Sequence, residues 1–289
     1  MQSESTSFAG AARPDKLLDG YVFDLDGTIY LGDDPLPGAR RLIEALAALD
    51  RKVLFLSNNP TSSLAEYVHK LARFGIAATP EQVLNTVDTM TAWLLADHPE
   101  ATVFPISEQP LKDALAAAGI RMSEDPREID IVIASYDRGF DYRKLQIAFD
   151  AIRTEGRAFL VATNPDRFCP FPGGRGEPDA AAIIGAVEGC TGTTLRRHTG
   201  KPDPYMLAAA LARLELPAER CVMIGDRLMT DIRMALDAGM PSALVLTGET
   251  TPAMLAGIAP TDRPDWVLER VDQILPESAW RRLGWGTGA

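Results

Sequence analysis

The sequence has little of three features that would each assign it to a familiar class. Cysteine occurs only three times in 289 residues, without the paired spacing of a zinc site, so we expect free thiols rather than a disulfide framework or a cysteine-bound metal. No apolar run approaches the roughly 20 residues that span a bilayer, which argues against an integral membrane protein. Residues 1–14 lack the basic and apolar blocks of a secretion signal. We therefore expect a cytoplasmic protein.

Basic residues are also in the minority. The 29 Lys and Arg against 40 Asp and Glu give a formal net charge of −11 and a sequence pI near 4.8. This balance argues against nucleic acid and against an anionic membrane surface as partners. An anionic small molecule would need a local positive site. The hydrophobic content of 46% is enough for a substantial buried core.

Apolar runs alternate with helical patterns along most of the chain. Runs at 21–26 and 51–57 are each followed by an amphipathic stretch, and the same rhythm fills 102–164 and returns after a Pro/Gly-rich crossing at 165–178. This order predicts an α/β protein with a doubly wound parallel sheet and a second domain inserted in the middle. The predicted parts are a flexible N-terminal arm at 1–16, a core domain at 17–85 plus 179–289, and an inserted α/β domain at 86–178.

Polar residues gather where predicted strands end or predicted helices begin. In open α/β sheets these positions surround the ligand. The four groups are Asp24 with Asp26, Ser57-Asn58-Asn59, Gly200-Lys201, and Gly225-Asp226-Arg227 with Asp231. Each residue taken singly could be a helix cap, a turn residue or a surface charge. Taken together they predict one site, in which the crowded carboxylates must be compensated by a cation, a proton or a hydrogen-bonding loop.

Four segments resemble known motifs. FDLDGTIY, LFLSNN, GKPDPYM and MIGDRLMTDI resemble, in order and approximate spacing, the four motifs of the haloacid dehalogenase superfamily. The insertion between the second and third motifs, and the run ATNPD at 162–166, resemble its NagD-type branch of phosphatases. The resemblance covers residues 18–275 and implies a core domain of that superfamily with an inserted α/β cap domain.

The resemblance implies Mg²⁺-dependent hydrolysis of a phosphomonoester. Asp24 would be the nucleophile that forms an aspartyl-phosphate, and Asp26 the general acid and base. Mg²⁺ would be bound by the Asp24 carboxylate, the main-chain carbonyl of Asp26 and the Asp226 carboxylate, because hard oxygen ligands select that ion. Asp231 would orient water or Lys201 from outside the direct ligands.

The resemblance also implies which residues hold the phosphate. Thr28 would offer its hydroxyl and amide, and Ser57 and the main-chain amide of Asn58 would bind phosphate oxygens at a strand-to-helix turn. Lys201 would supply the local positive charge that the acidic chain otherwise lacks.

The inserted domain is expected to select the substrate. In the resembled branch a cap loop helps to choose the leaving group, and here that loop begins at residue 164. Its candidate substrate contacts are Asp166, Arg167, Phe168 and Cys169, each of which could instead be a plain loop residue. The cap is also a candidate surface for a homodimer. The histidines are dispersed, and we expect surface or structural roles for them.

These features favour a phosphatase that acts on a small phosphorylated metabolite. Two alternatives stay open on the same fold: a catalytically silent phosphate-binding or regulatory protein, and a dehalogenase. The dehalogenase is disfavoured because displacement of halide needs neither a metal nor protonation of the leaving group. A nucleotide-binding dehydrogenase is disfavoured because DLDGT stands where its glycine-rich turn would be required.

Overall fold

A computed structural model describes residues 13–171 and 175–285. Within these ranges no helix is long and apolar enough to cross a membrane. The strands are β1 Gly20–Asp24, β2 Tyr30–Leu31, β3 Asp34–Pro35, β4 Lys52–Ser57, β5 Val83–Asn85, β6 Thr102–Ile106, β7 Arg121–Met122, β8 Ile131–Ala134, β9 Phe159–Ala162, β10 Phe168–Phe171, β11 Arg175–Pro178, β12 Arg197–His198, β13 Cys221–Gly225, β14 Ser242–Val245 and β15 Trp266–Leu268. The helices are α1 Ala39–Ala48, α2 Leu64–Arg73, α3 Thr86–Asp97, α4 Gln109–Ala117, α5 Tyr142–Phe149, α6 Ala180–Thr191, α7 Pro204–Leu214, α8 Arg233–Asp237, α9 Pro252–Ala256 and α10 Glu277–Arg282.

The chain divides into two compact units. The first contains the residues through Phe55, a short segment at Phe74–Ile76 and the residues from Leu211 onward, and the second contains Leu56–Arg73 and Ala77–Ala210. The division falls within β4. The predicted domain boundaries, which follow residues 85 and 178, stay a prediction. Most of the predicted N-terminal arm, residues 1–12, lies outside the described residues.

The first unit is built on a sheet with the hydrogen-bonded strand order β15-β14-β13-β1-β4. Strands β1, β13, β14 and β15 are parallel, and Gly20 of β1 pairs with Cys221 of β13. The residues of β1 and β13 are buried throughout, as expected for strands covered on both faces. Parallel pairing places the carboxyl ends of β1 and β13 side by side.

The second unit has its own parallel sheet, in the order β12-β9-β8-β6-β7. Alternation along β8 sorts its side chains between two cores. Ile131 and Ile133 pack with buried residues of α3 and α4, whereas Val132 and Ala134 pack with those of α5 and α6. Helices on both faces of parallel sheets confirm the predicted α/β class.

The Pro/Gly-rich crossing at 165–178 is more ordered than predicted. Strands β10 and β11 form an antiparallel hairpin in it, with Phe168 opposite Pro178. Arg138 Nε donates to Glu177 Oε2 at 2.8 Å, and the Tyr136 hydroxyl also hydrogen-bonds that carboxylate. These long-range bonds anchor the hairpin to the second unit. Local composition could not reveal them, and accordingly the sequence predicted no strand in this crossing.

A substitution at Phe55 tests how closely the core of the first unit is packed. Its ring packs 6.1 Å from that of Phe23, and its exposed fraction is 1%. Phe55→Ala should lower the free energy of unfolding by about 3–5 kcal/mol, because it opens a cavity in a close-packed core. Urea denaturation followed by circular dichroism measures the loss. Met254→Ala is the control, since that side chain is 45% exposed, and a similar loss in both variants would contradict the packing.

Candidate active site

Three buried carboxylates meet in the first unit. Asp24 is the last residue of β1, Asp226 follows β13, and Asp231 lies in the π-helical turn Leu228–Ile232. One ligand atom from each lies within 4.8 Å of the others, and the exposed fractions of the three residues are 8%, 1% and 0%. We call this group the carboxylate cluster. It forms because neighbouring parallel strands end at the same edge of the sheet.

Glycines leave room for the cluster. Gly27 has φ +89°, and a Cβ there would lie 2.6 Å from Asp226 Oδ2. A Cβ on Gly248, in the turn after β14, would overlap the same oxygen. The main-chain N–H of Glu249 donates to Asp226 Oδ2 at 2.6 Å. The backbone after β14 therefore closes directly on the Asp226 carboxylate.

Asp231 is held at the cluster by its own turn. Its Oδ2 accepts the Arg227 N–H at 3.1 Å, while the Arg227 side chain pairs with Glu249 at 3.0 Å. A Cβ on Gly225 would overlap the Asp231 carboxyl group. Gly225 thus allows the close approach of Asp231, and its expected role outside the direct ligands stays a prediction.

The donor set of the cluster fits a hard divalent cation. Three buried anions within a few ångströms repel one another strongly unless positive charge lies among them. Carboxylate oxygens are the ligands that Mg²⁺ and Ca²⁺ prefer. The residues present could therefore hold Mg²⁺.

Asp26 and Thr28 lie in the turn that follows β1. The strand ends at Asp24 rather than continuing to Asp26 as predicted, because the positive φ of Gly27 turns the chain. Asp26 is half-buried and bridges to Tyr30. Its side chain is not among the three clustered carboxylates of the described residues. Thr28 is fully buried, and its N–H donates to Leu25 O at 3.3 Å.

Ser57, Asn58 and Lys201 lie in the second unit, all of them buried. The Asn58 side chain bonds to the main chain of Lys201 in both directions: Oδ1 accepts the Lys201 N–H at 2.8 Å, and Nδ2 donates to the Lys201 carbonyl at 3.1 Å. Ser57 Oγ lies 2.9 Å from the Tyr67 hydroxyl and accepts the Asn59 N–H at 3.2 Å. The structure thus brings the second and third motifs together.

His198 lies close to Lys201 in the chain and is the histidine nearest the site residues in sequence. Its Nδ1 is 3.1 Å from the Gly200 carbonyl. Burial lowers the pKa of His198 below its ordinary value, against the opposing charge of Asp203. Burial therefore favours the neutral imidazole.

The four candidate specificity residues differ in their surroundings. The carbonyls of Asp166 and Arg167 accept N–H groups around the start of α6, so both residues have a structural role in their main chains. Phe168 is 44% exposed in β10. Cys169 is half-buried, and Asn59 Nδ2 lies 3.9 Å from its sulfur.

Sequence reasoning missed several residues that shape the site. Gly248 and Glu249 follow the strand SALV, so their position at a strand end was a usable signal. Tyr67 and Thr86 contact Ser57 or Asn58 only through tertiary folding, and no local pattern marks them.

Comparison with known proteins identifies relatives along nearly the whole chain. Residues 21–121 match the family described as haloacid dehalogenase-like hydrolase, and residues 198–274 match the HAD-hydrolase-like family. The sugar-phosphatase AraL of Bacillus subtilis is 34% identical over 255 residues, which cover 88% of this chain and 91% of that protein.

Solved structures of phosphatases are also similar to this chain. The 4-nitrophenylphosphatase of Thermotoga maritima superposes with a TM-score of 0.82 at 32% identity, over 89% of this chain and 96% of that one. A glycerol phosphate phosphatase of Mycobacterium tuberculosis in complex with magnesium gives a TM-score of 0.79 at 30% identity, over 89% of this chain and 76% of that one.

The parallel α/β fold, together with phosphatases that match most of the chain, defines this protein as a phosphatase and therefore as a hydrolase. More narrowly, the chain belongs to the haloacid dehalogenase superfamily, as a NagD-like phosphatase.

Gly248 provides a test of the cluster that leaves every carboxylate in place. Gly248→Ala should lower kcat/KM by about 100-fold, because its Cβ would displace the Asp226 carboxylate and small displacements at a reacting centre are costly. Release of 4-nitrophenolate from 4-nitrophenyl phosphate measures the effect. The matched control is Gly257→Ala, whose Cβ would make only an ordinary contact of 3.6 Å. Equal activity in the two variants would contradict a role for this close approach.

Proposed function

We propose that this phosphatase is Mg²⁺-dependent and hydrolyses a small phosphomonoester through an aspartyl-phosphate on Asp24. The observation that carries the proposal is the carboxylate cluster, whose three buried anions lie within 4.8 Å of one another. Mg²⁺ would be held by the carboxylates of Asp24 and Asp226 and the main-chain carbonyl of Asp26, with Asp231 beside them. When bound, the ion would neutralise charge on the phosphoryl group.

The proposed reaction has two displacements at phosphorus. A carboxylate oxygen of Asp24 attacks, the bond from phosphorus to the ester oxygen breaks, and Asp26 gives its proton to the departing oxygen. A water molecule then attacks the aspartyl-phosphate and Asp26 takes a proton from it. The bond between phosphorus and the Asp24 oxygen breaks, which releases inorganic phosphate and restores Asp24. The half-buried position of Asp26 suits a group that must both give and receive a proton.

Phosphate binding in this proposal depends on hydrogen-bond donors and one cation. Thr28, Ser57 and the main-chain amide of Asn58 would donate to phosphoryl oxygens. Lys201 would contribute a point charge. Support comes from the pairing of Asn58 with Lys201, which places two of these four residues next to each other.

The proposed substrate is a small phosphorylated metabolite of the sugar phosphate or glycerol phosphate class. Support comes from relatives named as a sugar phosphatase and a glycerol phosphate phosphatase. Asp166, Arg167, Phe168 and Cys169 would contribute to the choice of substrate, and the exposed ring of Phe168 makes it the first of them to vary. A homodimer through the inserted domain and a cytoplasmic location remain expectations.

The proposed role of Asp24 as the nucleophile can be tested with a panel of phosphomonoesters. Asp24→Asn should lower phosphate release by at least about 1,000-fold, because the amide is not a nucleophile, while the circular dichroism spectrum stays unchanged. The panel should contain sugar phosphates, glycerol phosphates, nucleoside monophosphates and 4-nitrophenyl phosphate, with and without chelator. Asp34→Asn, at an exposed position in the same unit, is the control. Full activity of Asp24→Asn would disprove the mechanism, and a wild-type protein inactive on every ester would favour the silent phosphate-binding alternative.

A substitution at Asp226 tests metal binding without a measurement of turnover. In wild-type protein, Mg²⁺ at about 100 times its Kd should raise the free energy of unfolding by about 2.7 kcal/mol, measured as a shift in Tm. Asp226→Asn should lose most of that shift. Asp262→Asn, an exposed site in the same unit, should keep the shift. An unchanged shift in Asp226→Asn would rule out the cluster as the metal site.

A further inference from the structure

The Asn58 side chain forms a two-point bridge to the main chain at Lys201. The two hydrogen bonds, at 2.8 and 3.1 Å, join residues 143 positions apart in the sequence. Both residues are buried, and only 2% of the Lys201 surface is exposed. A side-chain amide that satisfies the N–H and the C=O of one residue fixes both the position and the orientation of that peptide segment.

Asn58 is itself fixed from the other side. Its main-chain carbonyl accepts Asn164 Nδ2 at 2.7 Å and Thr86 Oγ1 at 3.0 Å. Asn164 and Thr86 have no exposed surface. Two buried donors on one carbonyl leave Asn58 little freedom to move.

The neighbouring glycine shows how close this packing is. A Cβ on Gly200 would lie 2.7 Å from Asn58 Oδ1, 2.7 Å from Thr86 Cγ2 and 2.8 Å from the Thr163 carbonyl. These contacts are tighter than side chains tolerate without a shift in their neighbours. The segment that carries Lys201 is therefore seated against Asn58 and Thr86 with no spare space.

We infer that Asn58 and Asn164 are positioning residues for the Lys201 ammonium. A lysine ends in a point charge on a flexible four-carbon chain, so the place of its charge depends on how firmly its main chain is held. Asn58 would hold that main chain, and Asn164 would hold Asn58. This inference rests on the proposed function, in which Lys201 binds the phosphoryl group, and it adds a side-chain role to the main-chain role proposed for Asn58.

A double-mutant cycle on phosphate binding tests the inference. The Kd of inorganic phosphate is measured by calorimetry in the presence of Mg²⁺ for wild type, Asn58→Ala, Lys201→Met and the double variant. Asn58→Ala keeps its main-chain amide and should weaken binding about tenfold, and Lys201→Met about 100-fold. The double variant should bind no more weakly than Lys201→Met, because Asn58 acts through Lys201. A further tenfold loss in the double variant would overturn the inference.

Thr191→Ala is the control. Thr191 is a buried residue of the same unit, and its hydroxyl donates to the Val187 carbonyl at 2.7 Å within α6. Its loss should lower Tm and leave the Kd of phosphate unchanged. The same pattern in Asn58→Ala, a lower Tm with an unchanged Kd, would mean that Asn58 is only a structural link and would overturn the inference.

A second variant covers the case in which Asn58→Ala does not fold. Thr86→Val preserves side-chain shape and removes one hydrogen bond to the Asn58 carbonyl, so it should weaken phosphate binding about threefold in wild type and not at all in Lys201→Met. Equal effects in both backgrounds would overturn the inference.

Measurements on the wild-type protein test the proposed function independently of the inference on Asn58. If wild-type protein releases phosphate from an ester but the cycle is additive, only the inference on Asn58 fails. If wild-type protein neither turns over an ester nor binds phosphate, the proposed function fails and this inference fails with it.

Discussion

The close approach of three buried carboxylates is the constraint to which the surrounding chain of the first unit is adapted. Asp24, Asp226 and Asp231 lie within 4.8 Å of one another and almost out of contact with water. Such a group opposes folding unless a cation compensates it. The surrounding chain is built to permit this approach, since glycines stand where any side chain would collide with a carboxylate.

The fold was predictable because its signals are local and repeated. Buried runs such as 21–24 and 131–134 alternate with amphipathic helices, and that alternation alone favours parallel sheets covered by helices. The positions of Asp24, Ser57 and Asp226 at strand ends follow from the same pattern. The place of Asp231 inside the carboxylate cluster does not, because it depends on a π-helical turn and on the space left by a glycine.

Features that depend on distant contacts could not be derived from the sequence. The bridge from Asn58 to Lys201 spans 143 positions, and although the motifs around both residues predict a shared site, they do not indicate this pair of hydrogen bonds. The hairpin of β10 and β11 is similar, because its Pro/Gly-rich composition is typical of an irregular loop while Tyr136 and Arg138 hold Glu177 in place. In both cases tertiary hydrogen bonds decide a structure that local propensity leaves open.

The strongly negative charge of the chain limits how a phosphate ester can be bound. Charges farther than about 8 Å are largely screened at physiological ionic strength, so the net charge of −11 matters less than the few groups close to the phosphoryl oxygens. Burial lowers the pKa of His198, and the proposed positive charges are Lys201 and one metal ion. With so few cations, binding depends on where each one is held. A lysine whose main chain is fixed by a buried asparagine, and the proposed metal ion at the carboxylate cluster, would both meet that requirement by restricting position rather than by adding charge.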